Sequence, residues 1–294
     1  RYLEFVKSTF PRELSLKKLK IVIDCANGAA YQVAPRALWE LGAEVVPIGC
    51  NPDGTNINHK CGSTNPKLMS DIVKKHKADI GIALDGDADR CIICDEKGAF
   101  IHGDKIIGLI TKRYLDQNLL IGESIVGTNM TNMGLEIYLN KQNIKLIRAN
   151  VGDRYVVEKM KSNNCNIGGE QSGHIILGEH GSTGDGLVAS LQVIATMIEK
   201  DKKASEISNI FSLLPQSIES IDYNITKFKF RETDPFIIKK IKYAENLLGK
   251  NSRIILRASG TENKLRIMGE ASNKNLLNKT LKMLKIEINN YVND

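Results

Sequence analysis

Apolar residues fall along the chain in short blocks separated by turn-forming residues, and their spacing changes from block to block. Leu-Lys-Ile-Val-Ile-Asp at 19–24 runs into the turn Asn27-Gly28, which predicts a buried strand. Val33, Ala37, Leu38 and Leu41 then recur at helical spacing until Gly42, and Val45-Val46 begins another strand. Asn65-Pro66 opens a further helix, and Ile80–Leu84 reads as a strand. This alternation predicts a parallel α/β sheet within residues 8–104. The pattern then restarts, with a helix over 104–116, a strand at 125–127, a helix from Asn132-Met133-Gly134 and a strand at 145–147. A helix over 153–162 and a strand around 165–167 follow, then a helix over 185–199 with Leu187, Leu191, Ile194 and Ile198 in one stripe. These elements form a second α/β unit over 105–213. The strand-to-helix turns 24–28 and 128–134 resemble each other and suggest a structural duplication.

The order changes after Leu214-Pro215. Strands around 220–230 lead to a helix over 234–248, with Ile237, Ile241, Ala244 and Leu248 on one face. Two strands, 253–257 and 264–270, precede a final helix that buries Leu277, Leu281, Leu284 and Ile288. The expected fold class is therefore α/β: two tandem mixed-sheet α/β domains (8–104, 105–213) and a small α+β C-terminal domain (218–294), with residues 1–7 as a tail.

Composition narrows the function. The 294 residues are 42% hydrophobic and 26% charged, which suits a globular chain and excludes a disordered one. No apolar run approaches the roughly 18 residues of a membrane span, and Arg1-Tyr2-Leu3-Glu4-Phe5 lacks a signal-peptide pattern, so a cytoplasmic location is expected. The net charge of +7 favours anionic partners. Aromatics are only 5% and do not interleave with the lysines, so a small phosphorylated substrate fits better than nucleic acid or a membrane. The six cysteines, at 25, 50, 61, 91, 94 and 165, are expected to be reduced. Cys91 and Cys94 stand three apart on a strand and point to opposite faces, so a shared metal or disulfide is not expected.

Three loops carry chemistry. In Asp85-Gly86-Asp87-Ala88-Asp89-Arg90, three carboxylates at alternate positions of a tight turn converge on one point, which suits a hard divalent cation such as Mg²⁺. Arg90 beside them suits a phosphoryl group. An EF-hand reading meets Arg90 where that loop needs Gly, and a plain solvated acidic turn is the bland alternative. In Gly169-Glu170-Gln171-Ser172-Gly173-His174, residues Glu170, Ser172 and His174 alternate and are expected to face one way, toward sugar hydroxyls. A Ser–His nucleophile pair and an ordinary Gly-rich turn compete with that reading. In Arg257-Ala258-Ser259-Gly260-Thr261-Glu262, a guanidinium, two hydroxyls and a glycine suit a phosphate monoester, as they would a simple hairpin turn. Taken in order, the loops point to a phosphorylated sugar held between a metal site and a distal phosphate site.

These loops, with Asn56-Ile57-Asn58, Cys61-Gly62-Ser63, Val151-Gly152-Asp153-Arg154-Tyr155 and Thr183-Gly184-Asp185-Gly186, resemble the α-D-phosphohexomutase superfamily over essentially the whole chain. Within it, 151–155 and 169–174 look more like the glucosamine branch than the phosphomannomutase/phosphoglucomutase branch. The resemblance implies phosphoryl transfer through an enzyme phosphoserine, between glucosamine 6-phosphate and glucosamine 1-phosphate, with a sugar 1,6-bisphosphate as primer. It implies Mg²⁺ on Asp85, Asp87 and Asp89, and Arg90 at the transferring group. Glu170 and Ser172 would grip the sugar hydroxyls, with His174 supporting that loop, and Arg257, Ser259, Gly260 and Thr261 would hold the phosphate that is not reacting. Asn263 stands where the family commonly has Pro, and Asn65 where it often has His. The family's Ser-His-Asn-Pro loop is absent: the five histidines precede Lys, Lys, Gly, Ile and Gly. The expectation is thus a fragment lacking its phosphoserine domain and inactive alone, with a non-catalytic phosphosugar-binding module as the alternative.

Overall fold

The structure, a computed structural model, describes residues 1–259 and 262–293. Its residues divide into two compact units, one of residues 1–131 with 135–211, the other of 132–134 with the chain from Ser212 on.

The first unit opens with α1 (Tyr2–Ser8), so the expected tail is a helix; Val6 is buried in the core, and α1 packs on α2 (Val33–Glu40). Three strands, β1 (Lys20–Asp24), β2 (Glu44–Ile48) and β3 (Ile80–Leu84), run parallel with β1 between the other two, and α3 (Lys67–His76) leads into β3. An antiparallel β4 (Cys91–Asp95) and the short β5 (Phe100–Ile101) complete a sheet of order β2-β1-β3-β4-β5. After α4 (Gly103–Asp116) the plan repeats. β6 (Ser124–Thr128), α5 (Met133–Asn140), β7 (Lys145–Ala149), α6 (Asp153–Ser162), β8 (Ile167–Gly169) and β9 (Ile175–Leu177) give a sheet of order β7-β6-β8-β9. In both sheets the first strand pairs in parallel with the second and third, and the fourth folds back antiparallel on the third. This is the duplication suggested by the two similar turns.

α7 (Gly186–Lys200) follows β9 as α4 follows the first sheet, and the short α8 (Ala204–Ile207) trails it. The expected single stripe on α7 is corrected: twelve consecutive residues, Gly186–Met197, are buried. The reason is position, because α7 packs on β3 and β4 of one sheet, on β9 of the other, and on α4. A helix walled in on all sides is mostly apolar all round, and its buried Ser190, Gln192 and Thr196 are hydrogen-bonded. One continuous core therefore serves both α/β modules. On the outer faces, α3 covers Val22, Ala83 and Cys94, and α6 covers Val126, Ala149 and Ile176. Cys91 lies in the shared core and Cys94 under α3, on opposite faces of β4 as the strand spacing requires.

The second unit carries β10 (Gln216–Asp222), α9 (Pro235–Leu248), β11 (Arg253–Ala258), β12 (Lys264–Glu270) and α10 (Lys274–Asn293). Its antiparallel sheet runs β10-β12-β11, and α10 buries Leu277, Leu281, Leu284 and Ile288 as predicted. Where strands were expected around 220–230 there is one, which begins and ends earlier, at 216–222. Asp234 caps α9 by accepting the amides of Phe236 and Ile237 (2.9 and 3.1 Å).

Candidate active site

The duplication decides where the chemistry sits. Asp85–Arg90 joins β3 to β4, and Glu170–His174 joins β8 to β9, so both loops are the hairpin turns after the third strand of their sheets. The residues just before β4 and β9 meet: Arg90 and His174 form an antiparallel bridge, and the Cys91 amide donates to the Gly173 carbonyl (3.1 Å). The helices then cross over. A Cβ on Gly186, at the start of α7, would lie 2.4 Å from the Arg90 carbonyl oxygen of the other module. A Cβ on Gly103, at the start of α4, would lie 2.3 Å from the Gln171 carbonyl oxygen. α7 follows the second sheet but is seated against the loop of the first, and α4 follows the first sheet but is seated against the loop of the second; glycine is what lets the backbones approach so closely.

Within the first loop, ligand oxygens from Asp85, Asp87 and Asp89 all lie within 4.8 Å of one another. The turn closes through the Ala88 amide, which donates to the Asp85 carbonyl (3.1 Å), with Ala88 at a left-handed φ of 63°. Asp85 is buried, Asp89 half-buried and Asp87 exposed. Burial, then the hydrogen bond and charge of Asp89 and the charge of Asp87, push the Asp85 carboxyl up to about 6, opposed by the Arg90 amide at 3.1 Å. Three crowded carboxylates with no thiol or imidazole among them suit a hard divalent cation, which would relieve that crowding. Beside them the Asn58 Oδ1 is buried without a hydrogen-bond partner among the described residues, and its Nδ2 would lie 2.9 Å from a Cβ on Gly86. The residues fit Mg²⁺. The Arg90 Nε is 3.8 Å from Asp85 and 3.7 Å from Asp89, with its side chain half exposed.

The sugar-loop expectation needs one correction. Glu170 and Ser172 stay together at the tip, with the Ser172 hydroxyl 3.4 Å from Glu170 Oε2, while Glu170 Oε1 accepts the Gly152 amide at 2.8 Å. His174 does not share their face. The bridge to Arg90 draws it into the strand register and leaves its side chain 3% exposed. Its Nε2 lies 3.2 Å from the Gly184 amide and its Nδ1 3.1 Å from Asp89 Oδ2. An amide can only donate, so Nε2 holds the lone pair and Nδ1–H donates to Asp89. His174 thus orients a carboxylate of the metal loop, and with both ring nitrogens engaged it is not a base for Ser172.

In the second unit Arg257 lies near the end of β11 directly opposite Arg266 on β12, and the Ser259 amide donates to the Lys264 carbonyl (2.8 Å). Like charges paired across strands repel, so this face suits an anion. Arg266 also reaches Glu262 at 3.2 Å. Gly260 and Thr261 lie outside the described residues. Sequence reading missed Arg266, although folding the two strands about 261–262 places it opposite Arg257. It also missed the Gly152 amide and the His174–Asp89 pair, which depend on contacts between loops far apart in the chain. Among the described residues no helix is long and apolar enough to cross a membrane.

Comparison with known proteins agrees with this layout. Three models of the phosphoglucomutase/phosphomannomutase family match: α/β/α domain II over residues 1–98, α/β/α domain III over 102–213, and the C-terminal domain over 225–285. The phosphoglucosamine mutase of Parvibaculum lavamentivorans is 51% identical over 279 residues, 94% of this chain and 61% of its own length. That of Caulobacter vibrioides is 49% identical over 288 residues, 97% of this chain and 63% of its own. The chain thus spans about three-fifths of the length of these curated relatives. Among solved structures, N-acetylphosphoglucosamine mutase of Aspergillus fumigatus, in complex with GlcNAc-6P and magnesium, shares the fold at 21% identity with a TM-score of 0.77, covering 99% of this chain and 65% of that one. The duplicated sheets, the loops after their third strands and these relatives lead to one conclusion: the chain belongs to the phosphoglucomutase/phosphomannomutase family of the α-D-phosphohexomutase superfamily, and carries its domains II, III and C-terminal.

Proposed function

We propose that this chain forms the metal-, sugar- and phosphate-binding part of a phosphoglucosamine mutase, which interconverts glucosamine 6-phosphate and glucosamine 1-phosphate. The observation that carries the reading is the meeting of the two hairpin loops, where His174 of the sugar loop donates to Asp89 of the metal loop. The phosphoglucosamine mutases about 50% identical to the chain support the amino-sugar preference.

Asp85, Asp87 and Asp89 would hold Mg²⁺, which when bound supplies positive charge to a phosphoryl group in transit. Arg90, with its side chain free to swing away from Asp85 and Asp89, adds a guanidinium to the same group. Glu170 and Ser172 present a carboxylate and a hydroxyl to sugar hydroxyls, with Glu170 steadied by the Gly152 amide. His174 keeps Asp89 in orientation. Arg257 and Ser259, with Gly260 and Thr261, bind the phosphate that is not reacting, and Arg266 adds a second guanidinium there. Transfer of this kind asks mainly for position and charge neutralisation. The sequence holds no Ser-His-Asn-Pro loop, so the phosphoserine donor lies outside these residues and the chain alone does not turn over. A sugar 1,6-bisphosphate primes the reaction by phosphorylating that serine.

The test is a mutase assay on the full reading frame with Mg²⁺ and a sugar bisphosphate primer, with this chain run alongside. Preference for glucosamine 1-phosphate over glucose and mannose 1-phosphates, with the short chain silent, is expected. Preference for glucose or mannose phosphates overturns the substrate assignment, and turnover by the short chain overturns the place of the donor.

A further inference from the structure

A cavity of about 760 Å³, the size of a small-molecule site, lies in the first unit at the end of the first sheet opposite the carboxylate loop. β1 and β3 begin beside it, where the Lys20 amide donates to Asp79 Oδ2 at 2.8 Å, and Asp85 follows the far end of β3, about 16 Å of strand away. Six lysines line the cavity, and of these only Lys74 has an ion pair among the described residues, with Asp71 at 2.9 Å. Helix C-termini favour lysines, which accounts for Lys74 and Lys77 at the end of α3. Lys17 and Lys18 come from the turn before β1 and belong to no helix. Lys18 and Lys77 sit at left-handed φ angles of 77° and 50°, where glycine would be unstrained, and strain of that kind collects at ligand sites. The lining carboxylates leave these charges uncompensated, because three of the four are bound to the chain. Asp79 holds the Lys20 amide, Glu96 takes the Ser205 amide and hydroxyl (3.1 and 2.6 Å), and Glu206 takes the Lys203 amide (3.0 Å). The remaining walls are apolar, with Met197 buried and Leu19 and Ile198 half-buried.

We propose that this cavity is a second ligand site, separate from the carboxylate loop, and that it binds a nucleoside diphosphate. Lys17, Lys18, Lys77, Lys202 and Lys203 supply cations for the diphosphate. Leu19, Met197 and Ile198 give the base an apolar seat, the thioether of Met197 adapting to a flat ring. Asp201, the fourth carboxylate of the lining, accepts from the ribose hydroxyls. Inorganic phosphate would leave the apolar wall unused. A nucleic-acid strand or a membrane needs a continuous basic face, whereas these lysines surround a hollow.

The site does not rest on the mutase reading. The test titrates uridine diphosphate and adenosine diphosphate into the purified chain by calorimetry, with EDTA present so that no metal-borne phosphate reaches the carboxylate loop. One saturable site is expected, weaker at higher salt. Lys18→Ala with Lys77→Ala should weaken it at least about tenfold. Lys75→Ala, on α3 but outside the lining, should bind as the parent does. Lys77→Gly relieves the left-handed strain, so it should melt no lower than the parent while binding more weakly, a split that a merely structural lysine would not give. No saturable binding, or binding that survives the paired lysine change, overturns the site. Displacement by glucosamine 6-phosphate moves the binding to the candidate active site and overturns it as well. Pyrophosphate competing as strongly as the nucleoside diphosphates overturns the seat for the base. A single-stranded oligonucleotide that binds more tightly than they do overturns the small ligand in favour of nucleic acid.

Discussion

The crossed seating of α4 and α7 makes a prediction whose sign separates two physical effects. Gly186 has an ordinary φ at the start of α7, so helix propensity alone says that Gly186→Ala should stabilise by up to about 1 kcal/mol. Packing says the opposite. The new Cβ would stand 2.4 Å from the Arg90 carbonyl oxygen, a full ångström inside the 3.4 Å at which ordinary contact begins, and the obstacle is backbone held in a hairpin. Overpacking of that kind costs about 1–3 kcal/mol. Lifting the helix start also strains the Gly186 amide's bond to the Ala88 carbonyl (2.9 Å), which is worth about 1 kcal/mol. The net expectation is a loss of about 1–3 kcal/mol, or a fall of about 2–12 °C in Tm for a unit of this size. Gly103→Ala should match it, since its Cβ would sit 2.3 Å from the Gln171 oxygen. Gly181→Ala, whose Cβ would meet only the Thr183 oxygen at 3.8 Å, should fall within about 0.5 kcal/mol of the parent. Urea titrations followed by far-ultraviolet circular dichroism measure all three. A Gly186→Ala chain more stable than the parent would refute the crossed contact, because propensity would then be the only effect present.

Two further outcomes are expected. Asp87→Asn removes one of three mutually repelling charges at an exposed position, so the metal-free chain should melt no lower than the parent, while the rise in Tm on adding millimolar Mg²⁺ should vanish; an undiminished rise would remove Asp87 from the ligand set. Burial holds the Asp24 carboxyl above the usual carboxylate range, even though it accepts the Ala26 and Gly62 amides at 3.0 and 2.8 Å. The folded chain therefore binds this proton before the unfolded one does, and stability from Asp24 should grow as pH falls through its raised folded value toward the unfolded value near about 4. Unfolding free energies of the parent and Asp24→Asn compared over that range should show the parent gaining on the variant as pH falls, and a slope of the opposite sign contradicts the burial argument.

Local elements were legible wherever one physical rule dominated. The helix over 153–162 and the strands at 253–257 and 264–270 fall within a residue of α6, β11 and β12, because periodicity and turn residues agree there. The strand placed at 220–230 was misjudged because Tyr223, Phe228 and Phe230 look like strand but fill the core of the second unit from loops, while the true edge strand leaves Ile218 55% exposed. Convergence of Asp85, Asp87 and Asp89 was readable from their alternation in a tight turn. The place of His174 was not. Alternation predicts a shared face only while the chain stays extended, and the bridge to Arg90, across 84 positions of sequence, overrides it. The burial of α7 was hidden for a related reason: a stripe of four leucines and isoleucines describes one face, and only packing against two sheets buries the other faces as well, Ser190, Gln192 and Thr196 included.

The crossed seating also has a consequence in time. A ribosome makes the carboxylate loop first, yet His174 and Gly186, which orient and support it, are synthesised some 84 to 96 residues after Arg90. At about 5–20 residues per second, this interval lasts roughly 5–20 s. During it the newborn loop is an acidic turn with no imidazole on Asp89 and no helix behind Arg90. Its maturation is therefore tied to the arrival of the second module, and a nascent chain stalled before residue 174 should bind Mg²⁺ more weakly than one released after α7.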